Sequence, residues 1–311
     1  MIVTVAANTS IDHILFIPEY KPDATIRATD MAISIGGKAI DASWILGELG
    51  IPNLSLGFAA GHNGQVVRQL LHEKGVITDY IEVEGESRRN IVIIPDDRDA
   101  QVSITYSTLI VRPEHVDALR ARYIRALDEQ PSCIVIGGTL PGGMQPAFYT
   151  EFLGYAKARN IPVVFDGSEP YLSAGLAAGP TYVKPNRDEI SQYAGRAITR
   201  LEDAYPVGRE IYERFGTCPI ITFGSQGALA VLPDRAYHIP PLDVPVSNIA
   251  GAGDAVLAGL AASIERGQSI EEGLRLGFAA AAATVMMPGT AECRREDIER
   301  LLPQVQLLPY A

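Results

Sequence analysis

The chain has 311 residues, 47% of them apolar and 20% charged, with a formal net charge of −11. That is enough chain for a sizeable core, in ordinary globular composition. The acidic balance speaks against a nucleic-acid partner, because no run of Lys and Arg exceeds two residues (Arg88-Arg89 and Arg294-Arg295), and no window approaches the roughly 18 apolar residues of a membrane span.

In chain order, strands are predicted at 2–7, 54–60, 133–138, 162–166, 181–184, 219–223 and 228–232. Helices are predicted at 39–49, 63–74, 113–129, 146–159, 187–194 and 203–215, then at 254–266, 271–287 and 295–302. Short apolar strands alternating with helices predict an α/β fold: a doubly wound, mostly parallel sheet with helices on both faces. Two segments break the rhythm. Residues 13–35 alternate without a helical period, and residues 88–106 read as two strands joined by the polar turn "DDRD". They predict a small inserted β-sheet at 13–35 and 86–106, a lid beside a core formed by 1–12, 36–85 and 107–311. Cys133, Cys218 and Cys293 are odd in number and match no CxxC pattern, so a reducing cytoplasm is expected. The N-terminal "MIVTVAANTS" has no charged n-region and no long h-region, so no signal peptide is read there.

Four stretches carry candidate chemistry. In "SNIAGAGDAVLAGLAASIERG" (247–267), Gly251, Ala252 and Gly253 stand at the mouth of an apolar helix, with Asp254 behind them. Free N–H groups and the helix dipole make an anion site there, and glycine lets a phosphate approach the backbone. A plain turn with an N-cap reads the same letters. In "SIGGKAIDASW", Gly36 and Gly37 precede a helix whose first turn holds Lys38. A cation there opposes the dipole, so it suits an anion better than it suits helix stability; a solvated surface lysine is the alternative. "YVKPNRDEI" (182–190) ends a strand with Lys184, Pro185 and Asn186 and puts Glu189 in the next helix. These oxygens suit hydrated Mg2+ near phosphates, and equally suit a helix cap. "ITFGSQGALAV" places Gly224 and Gly227 in a turn between two strands. Other motifs fail on spacing. GxGxxG meets Val256, and GxxxxGK[ST] meets Ala32 and Ala39. "FGSQG" is not GxSxG, and no HxxxH pair is present.

The order of these elements resembles the ribokinase-like sugar kinases of the PfkB family over nearly the whole chain: an early Asp12, then GGK, KPNxxE, FGxxGA and GAGD. The details are most similar to the phosphosugar branch that includes 1-phosphofructokinase and tagatose-6-phosphate kinase. "NTSID" (8–12) stands for NPxxD, "SRRN" (87–90) for TRxN, and "GGTLPGG" for GSLPxG, with Thr139 in the serine's place. The resemblance implies transfer of the γ-phosphoryl of ATP to a hydroxyl of a sugar or sugar phosphate, most plausibly a phosphohexose. Asp254 would be the general base, with Gly251, Ala252 and Gly253 as the anion hole. Asp12, Gly37, Lys38, Asp41, Arg88, Asn90 and Thr139 would surround the acceptor, with Arg27 as a second guanidinium. Lys184, Asn186, Thr222, Gly224 and Gly227 would line the ATP site, and Asn186 and Glu189 would organise Mg2+, largely through water. ATP, Mg2+ and a monovalent cation, K+, are the implied cofactors, and a homodimer through the lid the implied assembly.

The sequence departs from the family pattern at several positions. GGKGxN is here Gly36-Gly37-Lys38-Ala39-Ile40-Asp41, and the threonine usual before GAGD is absent from Asn248-Ile249-Ala250. Thr9 replaces the proline of NPxxD, and Thr25 a basic residue usual in part of the branch. An ionised Asp41 only accepts hydrogen bonds and opposes a phosphosugar, so a kinase of an unphosphorylated sugar or nucleoside is the alternative. A non-catalytic sugar- or nucleotide-binding regulator of the same fold is the other; the intact GAGD opposes it.

Overall fold

The computed structural model describes residues 1–96, 101–106 and 108–310. The chain opens with β1 (Ile2–Ala6), β2 (Ser10–Ile17), β3 (Asp30–Gly36), α1 (Lys38–Glu48) and β4 (Asn53–Ala59). Helix α2 (Gly61–Glu73) leads to β5 (Ile77–Glu82), β6 (Arg88–Pro95) and β7 (Val102–Ile104). Helices and strands then alternate: α3 (Pro113–Asp128), β8 (Cys133–Gly137), α4 (Ala147–Lys157), β9 (Val163–Asp166), α5 (Tyr171–Ala178) and β10 (Tyr182–Val183). Next come α6 (Arg187–Ala194), α7 (Leu201–Phe215), β11 (Cys218–Thr222), β12 (Ala228–Val231) and β13 (Ala236–Ile239). The chain closes with α8 (Ala252–Glu265), α9 (Ile270–Val285), α10 (Arg295–Leu301) and β14 (Leu308–Pro309).

The large sheet has the order β14-β13-β12-β11-β10-β9-β8-β1-β4-β5. The strands from β11 to β5 in that order pair in parallel, and β12, β13 and β14 extend it antiparallel. Strand β1 shows why such strands read as continuous apolar runs. Ile2 and Ala6 pack into one core with Ala39 and Ile40 of α1 and Ala255 and Val256 of α8. Val3 and Val5 pack into the other with Tyr123 of α3, Phe152 of α4 and Ile211 of α7. Both faces of the sheet are therefore covered by helices, as predicted.

The second sheet has the order β3-β2-β6-β7. Its strand β2 starts at Ser10, so Asp12 rides on this sheet. The "DDRD" turn falls mostly outside the described residues. Four elements of the fold have no counterpart in the sequence prediction: α5, β5, β13 and β14.

Candidate active site

Strand ends and helix mouths converge along one edge of the large sheet. Asn8 follows β1, Thr139 follows β8, Asp166 ends β9, Lys184 follows β10 and Thr222 ends β11. In a parallel sheet these are carboxyl ends, the usual crevice for ligands. The N-termini of α1 and α8 open onto the same edge.

At the mouth of α8, Gly251 adopts φ 82°, and a Cβ there would lie 2.3 Å from the Ala291 nitrogen. No other residue takes this turn without strain. The Asp254 N–H donates to Gly251 O at 3.0 Å, which closes the first turn. Ala252 and Gly253, first and second in the helix, have no intrahelical acceptor for their N–H groups. A Cβ on Gly253 would stand 3.1 Å from Lys184 Nζ, so an ammonium flanks these amides. Burial and the nearby Asp166 push the Asp254 carboxyl up to about 6, with Lys184, Lys38 and a hydrogen bond from Asp41 pulling the other way.

Lys38 is not a solvated surface lysine. Its Nζ pairs with Asp166 and, at 2.6 Å, with Glu189 Oε1. Burial works against its charge, but Asp166, Glu189 and Asp254 outweigh it and hold the ammonium above its ordinary range. Lys184 reaches the other Asp166 oxygen at 2.8 Å. Asp166, fully buried between two lysines, is a site residue that sequence reading missed. It ends the predicted strand 162–166, but nothing local tells that it meets lysines far away in the chain.

Asn186 Oδ1 accepts the Asp188 and Glu189 N–H groups at 2.9 Å, and Glu189 Oε2 accepts the Asn186 N–H at 2.9 Å. This reciprocal cap starts α6. Among the described residues no group of three His, Cys, Asp or Glu forms a metal cluster. With both Glu189 oxygens engaged, this donor set fits a hydrated ion carried on phosphates and does not form an inner-sphere cage. Thr222 donates its N–H to Pro185 O at 3.0 Å, and Gly224 and Gly227 turn beyond it with φ 57° and 84°.

Asp12, Arg88 and Asn90 form the facing wall. Asn90 Nδ2 donates to Asp12 Oδ1 at 2.7 Å, and Thr290 Oγ1 donates to Asp12 Oδ2 at 2.8 Å. Burial raises the Asp12 carboxyl, which these bonds and Arg88 partly offset. Arg88 donates from Nη1 to Thr139 Oγ1 at 3.2 Å and from Nη2 to Ser10 Oγ at 3.4 Å. Burial lowers its pKa, against the pull of Asp12 and Asp41. Asp41, 2% exposed, accepts the Gly37 N–H on Oδ2 at 3.2 Å. Among the described residues, Asn8 Oδ1, Asp41 Oδ1 and Asn90 Oδ1 are buried with no N–H or hydroxyl donor, and Arg88 Nε is buried with no acceptor. Such a concentration of orphaned polar atoms marks a ligand's place. Arg27 lies in the exposed loop between β2 and β3, with no hydrogen bond or ion pair to this wall among the described residues. The predicted residues are otherwise brought to one crevice.

Known proteins match this chain along nearly its whole length. The pfkB family carbohydrate kinase profile matches residues 2–297. The chain is 31% identical to 1-phosphofructokinase of Haloferax volcanii over 299 residues, which is 96% of this chain and 95% of that one. It is 28% identical to 1-phosphofructokinase of Bacillus subtilis over 307 residues, 99% of each. The solved phosphofructokinase-2 of Escherichia coli in complex with fructose-6-phosphate superposes with a TM-score of 0.86 at 25% identity, covering 97% of this chain and 98% of that one. Arabidopsis thaliana ribokinase, solved with ribose and ATP, shares the fold at a TM-score of 0.77 and 19% identity, covering 97% and 98%. With a carboxyl set behind a glycine-lined helix mouth and a full-length match on both sequence and fold, the chain belongs to the pfkB family of carbohydrate kinases.

Proposed function

We propose that this ATP-dependent carbohydrate kinase takes a hexose already bearing a phosphate, a fructose 1-phosphate or a close relative, with Asp254 as general base. One observation carries the acceptor class. Arg88 is half-buried, and among the described residues it has no carboxylate within ion-pair distance and no partner for its Nε. A guanidinium held this way suits a phosphate, whose oxygens match its fork of donors. The names of the relatives from Haloferax volcanii and Bacillus subtilis point the same way.

In this reading Asp12 and Asn90 hold acceptor hydroxyls. Asp254 takes the proton as the hydroxyl oxygen attacks the γ-phosphorus and ADP departs. The Ala252 and Gly253 N–H groups and Lys184 meet the charge on the transferring phosphoryl, which needs positioning and neutralisation more than covalent chemistry. Gly224 and Gly227 leave room for the nucleotide. Mg2+ bound with the nucleotide neutralises phosphate charge, and Asn186 and Glu189 would orient its water. The second sheet acts as a lid, and its outer face joins two subunits.

The test is turnover of ATP with fructose 1-phosphate, fructose 6-phosphate, tagatose 6-phosphate, free hexoses, ribose and nucleosides. Turnover of phosphohexoses only is expected, with K+ stimulating the rate; a phosphofructokinase-2 from Escherichia coli was solved in complex with potassium. Turnover of unphosphorylated acceptors alone overturns the assignment of the acceptor.

A further inference from the structure

We infer that Asp41 holds a proton and donates it in a hydrogen bond to Asp254, so that a carboxylic acid positions the base. The geometry gives the polarity. Asp41 sits in the first turn of α1, and its Oδ2 already accepts the Gly37 N–H. Its Oδ1 is buried with no N–H or hydroxyl donor. The remaining neighbour within hydrogen-bonding reach is the Asp254 carboxyl. Two carboxylates cannot share such a contact, but an acid and a carboxylate can. The acid would then use one oxygen to accept from Gly37 and the other to donate to Asp254. An asparagine at 41 would do both jobs in the same orientation, carbonyl to Gly37 and amide to Asp254.

The surrounding charges favour this proton. Asp254 on α8 and Asp12 on β2 face Asp41, and Arg88 on β6 is the cation near it. Lys38 and Lys184 instead serve Asp166, Glu189 and Asp254. Burial first, then Asp254 and Asp12, hold the Asp41 carboxyl well above the usual range. Asp254 is thereby the member that ionises first. The inference also removes a conflict, because an uncharged Asp41 does not repel a phosphosugar. Asp41 acts through Asp254 and is a positioning residue. The inference rests on Asp254 being the base, so one readout is chosen to need no catalysis.

That readout is infrared difference spectroscopy of the whole enzyme through a pH titration. A carboxylic-acid C=O band should persist at neutral pH, bleach at alkaline pH and be missing from Asp41→Asn. Its absence from the wild type at neutral pH, or its persistence in Asp41→Asn, overturns the inference whatever the base is. Kinetics give the second arm. When Asp41 loses its proton it stops donating and repels Asp254, so wild-type kcat should drop by about fivefold or more at alkaline pH, in step with the bleaching of that band. Asp41→Asn should lack that decline. Asp41→Ala should lose about 10- to 100-fold in kcat, and Asp41→Asn should recover most of that loss. An alkaline decline retained in Asp41→Asn, or an asparagine variant as impaired as the alanine one, overturns the positioning role. Circular dichroism of both variants separates these outcomes from misfolding.

Discussion

In the proposed reaction, Asp254 and Arg88 divide the chemistry between proton transfer and charge recognition. As a base, Asp254 works only when ionised, and burial with the neighbouring Asp166 sets its pKa near about 6. The sign is fixed: kcat should climb as pH rises through about 6, ahead of the alkaline decline expected when Asp41 loses its proton. Asp254→Asn should cut kcat by about 10²- to 10⁴-fold and keep the fold intact. A variant that keeps more than about a third of the wild-type rate takes proton transfer away from this residue. Among the described residues, Arg88 donates only to the side-chain hydroxyls of Thr139 and Ser10. A charge-assisted bond is worth about 1.5–3 kcal/mol. Arg88→Ala should therefore raise KM for a phosphohexose by roughly 10- to 150-fold with KM for ATP nearly unchanged. Equal loss for both substrates would mean that Arg88 shapes the crevice as a whole and does not bind the acceptor's phosphate. Arg88 and Asn90 were expected near each other from the resemblance of SRRN to TRxN, and both donate to Ser10 Oγ. The state of Asp41 was not legible, because the letter D reads as a charge, and only the burial created by α8 and β2 makes it an acid.

Helix α8, whose mouth is the proposed anion hole, is held by α9 through facing glycines. A Cβ on Gly259 would lie 2.2 Å from the Gly277 nitrogen and 2.9 Å from Gly273 O. Backbone on the far side cannot yield as a flexible side chain does. Gly259→Ala should cost about 1–3 kcal/mol through overpacking and lower Tm by several degrees in thermal unfolding. Gly154 on α4 is the control, since a Cβ there meets nothing within 4 Å. Gly154→Ala should leave Tm unchanged or raise it slightly, because alanine suits a helix interior better. A Gly259→Ala variant as stable as Gly154→Ala would show that α8 and α9 slide apart freely. The elements that were legible are those with a strong period or a continuous apolar run. Helix α5 was missed because "YLSAGLAA" is short, apolar on all sides and broken by glycine. Strand β5, "ITDYIE", lies at the sheet edge with Asp79 breaking its apolar run, and β14 has two residues. The KPNxxE stretch fitted both a metal-organising motif and a helix cap. The reciprocal bonds of Asn186 and Glu189 make it a cap in this fold, and the motif's oxygens remain beside Lys38 and Asp166.

The whole molecule presents one surface that a lone subunit leaves uncovered. Strand register aligns Ile33, His13, Ile91 and Ile104 in one row across β3, β2, β6 and β7, and Met31, Leu15, Ile93 and Val102 in the next. Residues two apart along a strand share a face, so both rows lie on the same side of the second sheet. Met31 is 56% exposed, Ile33 48% and Ile104 50%. On the opposite side, Ile14, Val92 and Ile94 are buried. An apolar face spanning four strands is costly to leave in water, and an identical face on a second copy would cover it by a two-fold contact. The same strands carry Asp12, Arg88 and Asn90 at their roots, so dimerisation would steady the acceptor wall. In sedimentation equilibrium the protein should run at twice its chain mass of 33.4 kDa. Ile33→Glu places a charge at the centre of the contact and should yield monomers. Because Asp12 and Arg88 lose their support, that variant should also raise KM for the phosphohexose more than KM for ATP. A wild-type protein that sediments as a monomer at assay concentration would sink the pairing. A monomeric Ile33→Glu with unaltered KM would keep the dimer but detach it from substrate binding.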